Sequence, residues 1–390
     1  MPNESRLQIS PCSWEKIGMR CKVRMNKNSA IIASFVLILL ILSTSGCMDY
    51  FNISDGSIPY ESHPTKIRYE IRYGHWINCS GTGRYVIDYN CDKPEVLIGE
   101  VPSELLYIND YKNKTLANNI VVNWNISGTN NNNYKLGIAA NVTAESFLIP
   151  DLSGDGASSL QEIKTNYPII FNQYCHEQSA KNKVYIDPNN VYIKSTAQDI
   201  SDQTNRNNSL ILAKELFIWL KQNTIYLMHY DDTSAQPAGT TYQLKTGDCD
   251  DLSFLYISLC RSLGIPARFI RGYLVEETDG VVSAVAHAWT EVFVGGNIGN
   301  QGWIPVECAC PSKDMAVQVN QNFGVESVGH LRLFKDDGSN ESMDASISGP
   351  MARYDAGMEV EMTAFVGIYN YSVLESKELT VDKNGKRAYK

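Results

Sequence analysis

The sequence predicts an α+β protein in which a strand-rich N-terminal region precedes a mixed region of helices and strands. Three observations support this fold class. Residues 66–73 alternate polar and apolar side chains with a period of two, as a half-buried strand does. Residues 210–220 form a strongly apolar segment that predicts a core helix. Residues 249–263 lead into Gly-Ile-Pro, which is typical of a helix end, and segments with strand character follow.

Length and charge limit the class of protein. A chain of 390 residues with 43% apolar and 20% charged residues has room for two or three globular domains. Its formal net charge is −9, and it becomes −13 when residues 1–46 are removed. Nucleic-acid binding requires the opposite sign, so we exclude nucleic acid as a partner.

Residues 1–47 are predicted to be a leader and signal peptide. The apolar run over residues 30–42 is shorter than the about 20 residues of a membrane span and is typical of a signal-peptide core. Cys47 follows a Ser-Gly pair, an arrangement similar to a lipobox, although Thr44 stands where Leu is usual. We therefore favour an exported lipoprotein on the outer face of the membrane. Free secretion and a retained signal anchor stay open.

The region after the leader is predicted to form a tether over residues 48–62 and a small β-sandwich over residues 63–150. Candidate strands cover residues 66–73, 85–89 and 119–124. Eight Asn-X-Ser/Thr tripeptides follow residue 47 and agree with export, but chance in an Asn-rich chain explains them equally well.

The linker over residues 151–164 carries a pattern similar to a twelve-position calcium loop. Oxygen-bearing side chains fall at positions 1, 3, 5, 9 and 12, and Gly156 stands at position 6, where the loop turns sharply. Position 8 is Ser158 rather than an apolar residue, and no clear helix precedes the loop. Structural calcium and an ordinary Gly/Asp/Ser linker are both open. The candidate calcium ligands are Asp151, Ser153, Asp155, Ser159 and Glu162.

Seven cysteines follow residue 47. An odd number outside the cell leaves at least one thiol free. Cys79 and Cys91 flank a predicted hairpin and are the best candidates for a disulfide. Cys308 and Cys310 could pair elsewhere, for example with Cys175. The chain has no Cys-X-X-Cys pair, which argues against a structural zinc site.

Three residues have the chemistry for thiol acyl transfer. Cys249 is predicted at the first turn of a helix, where free N–H groups and the helix dipole stabilise a thiolate. His287 lies on the second predicted strand after this helix, over residues 284–294. Glu307 ends the following strand, and a hairpin between them can bring its carboxylate beside the imidazole and fix the tautomer.

Five sequence blocks, in order, resemble the prokaryotic transglutaminase-like superfamily, and the resemblance covers residues 165–312. The blocks are Gly-Asp-Cys-Asp-Asp at 247–251, Leu-Gly-Ile-Pro-Ala-Arg at 263–268, Gly-Tyr at 272–273, His-Ala-Trp-Thr-Glu-Val at 287–292 and Gly-Trp-Ile-Pro-Val-Glu at 302–307.

This resemblance implies a papain-like α+β core with a Cys-His-Asp triad. Carried over by position, Cys249 would be the nucleophile, His287 the base and acid, and Glu307 the orienting carboxylate. Glu307 departs from the usual Asp, and the loop over residues 295–302 is longer than usual.

The sequence thus favours an exported thiol enzyme that acts on amide bonds of cell-envelope proteins or peptides. It implies no cofactor for catalysis. The alternative is a non-catalytic binding or scaffold protein that keeps the fold. Residues 313–390 are predicted to be a β-rich C-terminal extension whose relation to the core is open.

Overall fold

The structure, a computed structural model, describes residues 58–228, 235–310 and 314–390. The predicted leader and Cys47 lie outside these residues. No helix in the described ranges is long and apolar enough to span a bilayer. The helices are α1 (Leu160–Asn166), α2 (Pro168–Tyr174), α3 (Val191–Thr204), α4 (Ser209–Asn223), α5 (Ala238–Leu244), α6 (Cys249–Ser262), α7 (Met315–Asn322) and α8 (Asn340–Ser346).

The strands of the N-terminal region are β1 (Ile58–Gly81), β2 (Arg84–Asp92), β3 (Gly99–Glu100), β4 (Ser103–Leu105), β5 (Tyr111–Leu116), β6 (Asn119–Thr129), β7 (Asn132–Glu145) and β8 (Phe147–Leu148). The remaining strands are β9 (Gln178–Ala180), β10 (Lys183–Ile186), β11 (Ile225–Tyr226), β12 (Thr246–Gly247), β13 (Ala267–Thr278), β14 (Val281–Phe293), β15 (Trp303–Val306), β16 (Val325–Glu326), β17 (His330–Lys335), β18 (Met351–Tyr354), β19 (Met358–Val381) and β20 (Arg387–Tyr389).

Two sheets pack into a β-sandwich. One has the order β20-β19-β1-β7-β3, with β4 also on β7, and the other has the order β18-β2-β6-β5. Alternate residues of β1 and β2 point inward and share one apolar cluster with Trp124 and Leu136. The long strands β1 and β19 pair antiparallel almost from end to end. The C-terminal residues therefore complete the sheet that the N-terminal residues begin.

The connection between β1 and β2 is an arch between the two sheets and does not form a hairpin. Gly81 and Gly83 adopt positive φ in this connection, which glycine does without steric cost. Because the two strands lie in different sheets, the predicted hairpin is wrong. Cys79 and Cys91 are both buried and unbonded, so the predicted disulfide between them is wrong as well.

Outside the two sheets of the sandwich, a four-stranded sheet has the order β15-β14-β13-β17. It packs against the helices and is called the helix-packed sheet below. Helix α6 is buried along nearly its whole length and contacts β13 and β14. It ends at Ser262, with Leu263 as its C-cap, after which Gly264 adopts a φ of +82°. Asn208 caps α4 by accepting a 3.0 Å hydrogen bond from the N–H of Ile211. The α+β fold class, with a strand-rich region before a mixed core, is confirmed.

The sandwich and the helix-packed sheet share apolar contacts. Val275, Ala284 and Leu331 of the helix-packed sheet belong to the apolar cluster of the sandwich. The rings of Tyr73 and Tyr273 meet edge to face at 5.7 Å. The strand β17 pairs with β13 on one side, and on the other the backbone of Arg332 exchanges two 2.8 Å hydrogen bonds with that of Glu95.

Candidate active site

The thiol of Cys249 lies at the start of α6. Cys249 is the first residue of the helix and is 3% exposed. Its carbonyl accepts a 2.6 Å hydrogen bond from Ser253 Oγ one turn later. It shares an apolar core with Ala288, the neighbour of His287 on β14. Because the first N–H groups of a helix have no partner inside it, this position favours an anionic sulfur.

Asp251 joins the first turn of α6 to the segments before it. Its Oδ2 accepts from the N–H of Asp248 at 3.2 Å and from Gln236 Nε2 at 2.7 Å, and its Oδ1 accepts from the N–H of Gln236 at 2.5 Å. Burial, and then the charge of Asp248, raises the pKa of the Asp251 carboxyl to about 6. This carboxylate orders the turn that carries Cys249.

His287 and Glu307 are in direct contact. The strand β14 pairs with β15 so that Glu291 faces Pro305, and β15 ends at Val306, one residue before Glu307. His287 Nε2 lies 2.6 Å from Glu307 Oε2, and both side chains are about nine-tenths buried. The sequence predicted this contact, and the structure brings the two residues together.

A second imidazole, which the sequence reasoning missed, contacts the same carboxylate oxygen. His330 Nε2 lies 3.1 Å from Glu307 Oε2, while Oε1 accepts a 2.6 Å hydrogen bond from the N–H of Ala309. Burial acts to raise the pKa of Glu307, but His287 and His330 outweigh it and hold that pKa well below its usual range. The carboxylate is therefore anionic at neutral pH.

The backbone around Glu307 is fixed by other elements. Its N–H donates to the carbonyl of Asn322 at the end of α7. Lys221, in the last turn of α4, donates from Nζ to the carbonyls of Cys308 and Cys310, each at 2.7 Å. These contacts set where the carboxylate can reach.

A buried ion cluster lies beside the two imidazoles on the same sheet. Glu291 pairs with Arg268 at 2.6 Å and with Arg332 at 2.7 Å, and Arg332 also pairs with Glu326. Trp289 Nε1 donates to Glu326 at 3.1 Å. Burial acts to raise the pKa of Glu291, but the two guanidinium groups lower it to about 2. The cluster joins β13, β14 and β17 through side chains.

The other cysteines near this site are poor nucleophiles. Cys260 and Cys308 are fully buried. Burial raises the pKa of Cys308 to about 12 and raises that of Cys260 above its usual range. Cys175 and Cys310 are unbonded and half-buried, so the suggested pairing of Cys308 or Cys310 with Cys175 is absent. Among these thiols, Cys249 alone lies at a helix start.

Two groups of potential metal ligands lie within 4.8 Å among the described residues. One is His287, Glu307 and His330, and the other is Asp248, Cys249 and Asp250. In the first group, hydrogen bonds already occupy both carboxylate oxygens and both Nε2 atoms. The arrangement is therefore satisfied as a hydrogen-bonded cluster.

The predicted calcium loop forms a turn that leads into α1. Ser159 caps this helix, and Glu162 Oε2 accepts from the Ser159 N–H at 2.7 Å and from its Oγ at 2.8 Å. Asp151 Oδ1 accepts from the N–H of Ser153, and Ser153 Oγ accepts from the N–H of Asp155. The acidic side chains do not form a cluster in the described residues. Calcium at this loop stays a prediction.

Comparison with known proteins finds a family model that matches the middle of the chain. Residues 194–308 match the family model of the transglutaminase-like superfamily. The chain is 36% identical over 76 residues to the uncharacterized protein YebA of Bacillus subtilis, a match covering 17% of this chain and 10% of that protein. It is 29% identical over 82 residues to the uncharacterized protein ML0607 of Mycobacterium leprae, covering 20% of this chain and 29% of that one. The chain thus spans less than a third of either relative.

One solved structure similar to this chain is that of a candidate cysteine protease from Cytophaga hutchinsonii. The two are 15% identical with a TM-score of 0.44, covering 86% of this chain and 100% of the other. The family match contains Cys249, His287 and Glu307, whereas His330 lies beyond it. Residues 194–308 of this chain therefore resemble the transglutaminase-like superfamily.

Proposed function

We propose that this protein is a thiol acyl-transfer enzyme that acts on amide bonds through Cys249, His287 and Glu307. The observation that carries the proposal is the 2.6 Å contact between His287 Nε2 and the buried carboxylate of Glu307. That contact lies on the strand against which the helix beginning with Cys249 packs. A binding protein needs neither such an oriented imidazole nor a thiol at the start of the helix that packs on its strand.

The reaction follows from these groups. The Cys249 thiolate attacks the amide carbonyl carbon to form a tetrahedral intermediate, whose negative oxygen the N–H groups at the start of α6 stabilise. The C–N bond then breaks as His287 gives a proton to the leaving amine, which leaves a thioester on Cys249. Water or a second amine attacks the thioester while His287 accepts its proton. The acid or the new amide leaves, and the thiol is restored.

Glu307 keeps the imidazole in one orientation and stabilises the imidazolium. With Nε2–H donated to the carboxylate, Nδ1 is the ring nitrogen left to exchange a proton with the thiol or the leaving group. The reaction needs no cofactor. Hydrolysis and aminolysis differ only in which nucleophile reaches the thioester.

The substrate class in this proposal is a protein or peptide of the cell envelope. The support is the leader over residues 1–47, whose apolar core and lipobox-like Cys47 are typical of an exported lipoprotein. A Cys47→Ser variant of the full chain tests the anchor. The Cys47→Ser protein should be released from the membrane fraction when no detergent is added. A parent protein that is extracted without detergent and carries an unmodified Cys47 would contradict lipidation.

Alkylation of Cys249 by iodoacetamide tests the enzyme proposal. The rate is followed at this one cysteine by peptide mass spectrometry from pH 4 to 10. We expect the thiolate to form well below the pKa of about 8.5 for an ordinary thiol. A His287→Ala variant should return the midpoint toward that value. The matched control is His63→Ala, an imidazole of the β-sandwich whose ring packs on Tyr389.

The rival proposal is a non-catalytic envelope scaffold. A midpoint near 8.5 in the parent chain, with no change in His287→Ala, would contradict the enzyme proposal and favour this scaffold.

We also propose a structural calcium ion at residues 151–162. The support is the order of oxygen-bearing side chains with Gly156 at the turn. The melting temperature is measured with calcium and with chelator, in the parent chain and in Asp151→Asn. A melting temperature that chelator leaves unchanged would remove the calcium proposal.

A further inference from the structure

Three donors converge on the carboxylate of Glu307. Oε2 faces Nε2 of His287 at 2.6 Å and Nε2 of His330 at 3.1 Å, and Oε1 accepts from the N–H of Ala309. The carboxylate is about nine-tenths buried. Because an ionised carboxylate only accepts hydrogen bonds, both imidazoles must carry their proton on Nε2.

The other ring nitrogen of His330 also has a partner. Ser327 Oγ lies 2.9 Å from His330 Nδ1. A hydroxyl can donate to the Nδ1 of a neutral imidazole whose proton is on Nε2. The hydrogen bonds then run in one direction, from the Ser327 hydroxyl to His330 and from His330 to Glu307. Each ring nitrogen of His330 thus has a hydrogen-bond partner.

One short turn positions both Ser327 and His330. The N–H of His330 donates to the carbonyl of Ser327 at 3.1 Å, which brings the two side chains to the same side at the start of β17. The ring of His330 is packed edge to face on Trp289 at 4.7 Å between centroids. His330 is 7% exposed, so its ring has little freedom to turn away from Glu307.

The length of the Glu307 side chain explains why a second imidazole is needed. A glutamate has one more rotatable bond than an aspartate, so more conformational freedom must be removed to hold its carboxylate against His287. His287 and the N–H of Ala309 each hold one oxygen of the carboxylate. His330 gives Oε2 a second donor, which further restricts the carboxylate to the position in which Oε2 meets both imidazoles.

We propose that His330, oriented by Ser327, is a positioning residue that holds Glu307 against His287. The inference rests on the proposed function, because its consequence is the ionisation and reactivity of Cys249. His330 does not contact the thiol in this mechanism. It acts through Glu307 and His287.

The test uses the full chain and three variants that separate shape from hydrogen bonding. His330→Phe keeps a ring against Trp289 but has no donor. His330→Gln restores an amide N–H at about the reach of Nε2. Ser327→Ala keeps His330 and removes the group that orients it. Each variant is compared with the parent in its melting temperature and in the pH profile of Cys249 alkylation by iodoacetamide, with chelator present throughout.

We expect His330→Phe to slow alkylation at pH 6 about 10-fold and to move the midpoint upward, since a hydrogen bond to a charged group is lost. His330→Gln should recover most of this loss, and Ser327→Ala should lie between the two. In a His287→Ala background, His330→Phe should have no further effect on the profile, because the imidazole through which it acts is gone.

Other outcomes would overturn the proposal. An alkylation profile of His330→Phe that superimposes on that of the parent, with or without a lower melting temperature, would make His330 a structural residue only. If His330→Phe does not fold, the other two variants decide. The proposal is contradicted if the alkylation profiles of His330→Gln and Ser327→Ala are both the same as that of the parent. A parent profile that chelator itself returns to an ordinary thiol would mean that a metal, and not a hydrogen bond, joins these residues. The function test is separate, because it depends on the parent and His287→Ala alone.

Discussion

The negative charge of Glu307 is the property that the proposed reaction requires of this residue. Glu307→Gln keeps the length of the side chain and removes the charge that faces His287 at 2.6 Å. A hydrogen bond to a charged group contributes about 1.5–3 kcal/mol. We therefore expect alkylation of Cys249 at pH 6 to slow by about 10- to 100-fold. The exposed Glu341→Gln is the matched control. An unchanged rate would mean that the carboxylate plays no part in activating the thiol.

The second prediction concerns Glu291 and the pH dependence of stability. The pKa of this carboxyl is lowered from 4.5 to about 2, so the folded state holds the ionised form more firmly than the unfolded state does. Its stabilisation is present above pH 4.5 and is lost as the pH falls toward 2. Glu291→Gln should unfold at a lower temperature than the parent at pH 7, because it leaves Arg268 without its buried partner and leaves Arg332 with Glu326 alone. The difference should shrink at pH 3. Equal differences in melting temperature at pH 7 and pH 3 would contradict this account.

At the scale of elements, Gly272 controls how closely β17 approaches β13. A Cβ at this position would lie 1.8 Å from the carbonyl oxygen of Leu331. Gly272→Ala must therefore displace β17, which carries His330, and overpacking of this kind costs about 1–3 kcal/mol. We expect a lower melting temperature together with slower alkylation of Cys249.

Gly280→Ala provides the control for this prediction. Gly280 lies in the turn of the same hairpin, where a Cβ meets nothing within 4 Å, but its φ of +76° costs a side chain about 1–2 kcal/mol. Both variants should lose stability, and only Gly272→Ala should change the alkylation profile. If the two variants alkylate alike, the spacing of β13 and β17 has no effect on the site.

Local sequence signals were enough to predict the helix that carries Cys249. Its start is marked by Asp248 and Asp251, and its end by Gly264, all within one segment. The contact of His287 with Glu307 could also be predicted, because a hairpin joins strands that are adjacent in sequence. The pair Cys79 and Cys91 was predicted wrongly for the converse reason. Two strands that are adjacent in sequence can enter different sheets, and the turn residues alone do not decide between a hairpin and an arch.

The role of His330 could not be derived from the sequence, since it depends on a long-range pairing. Residues 330–335 form β17, in which His330 and Arg332, two residues apart, share one face. Nothing local shows that this strand pairs with β13, about 60 residues earlier, and so faces Glu307. The family match ends at residue 308 and gives no signal there either.

At the scale of the whole molecule, the two ends of the described chain meet in one sheet. The strand β1 pairs with β19, and β20 continues that sheet and returns toward α7. The period-two pattern of residues 66–73 predicts a strand, but it does not state which strand pairs with it, because many registers satisfy the same alternation. The sandwich and the transglutaminase-like domain are consequently joined through residues far apart in sequence.

Arg387 of β20 is the residue through which this C-terminal sheet supports the candidate site. Its guanidinium is 2% exposed and donates to the carbonyls of Asn320 and Phe323, each at 2.9 Å, and to that of Ile149 at 2.6 Å. The carbonyl of Asn322, between two of these acceptors, receives the N–H of Glu307. The end of α7 is thus held by Arg387 on one side and holds Glu307 on the other.

Removing this guanidinium should therefore affect both stability and the site. Arg387→Met keeps the length of the side chain and leaves several buried carbonyls without a donor, at about 1–3 kcal/mol for each unsatisfied group. We expect a melting temperature well below that of Lys386→Met, the exposed neighbour that serves as control. We also expect slower alkylation of Cys249 at pH 6 under conditions in which the variant is folded, because the backbone of Glu307 loses a fixed acceptor. A lower melting temperature with an unchanged alkylation profile would confine Arg387 to stability, and equal behaviour of the two variants would remove the proposed support altogether.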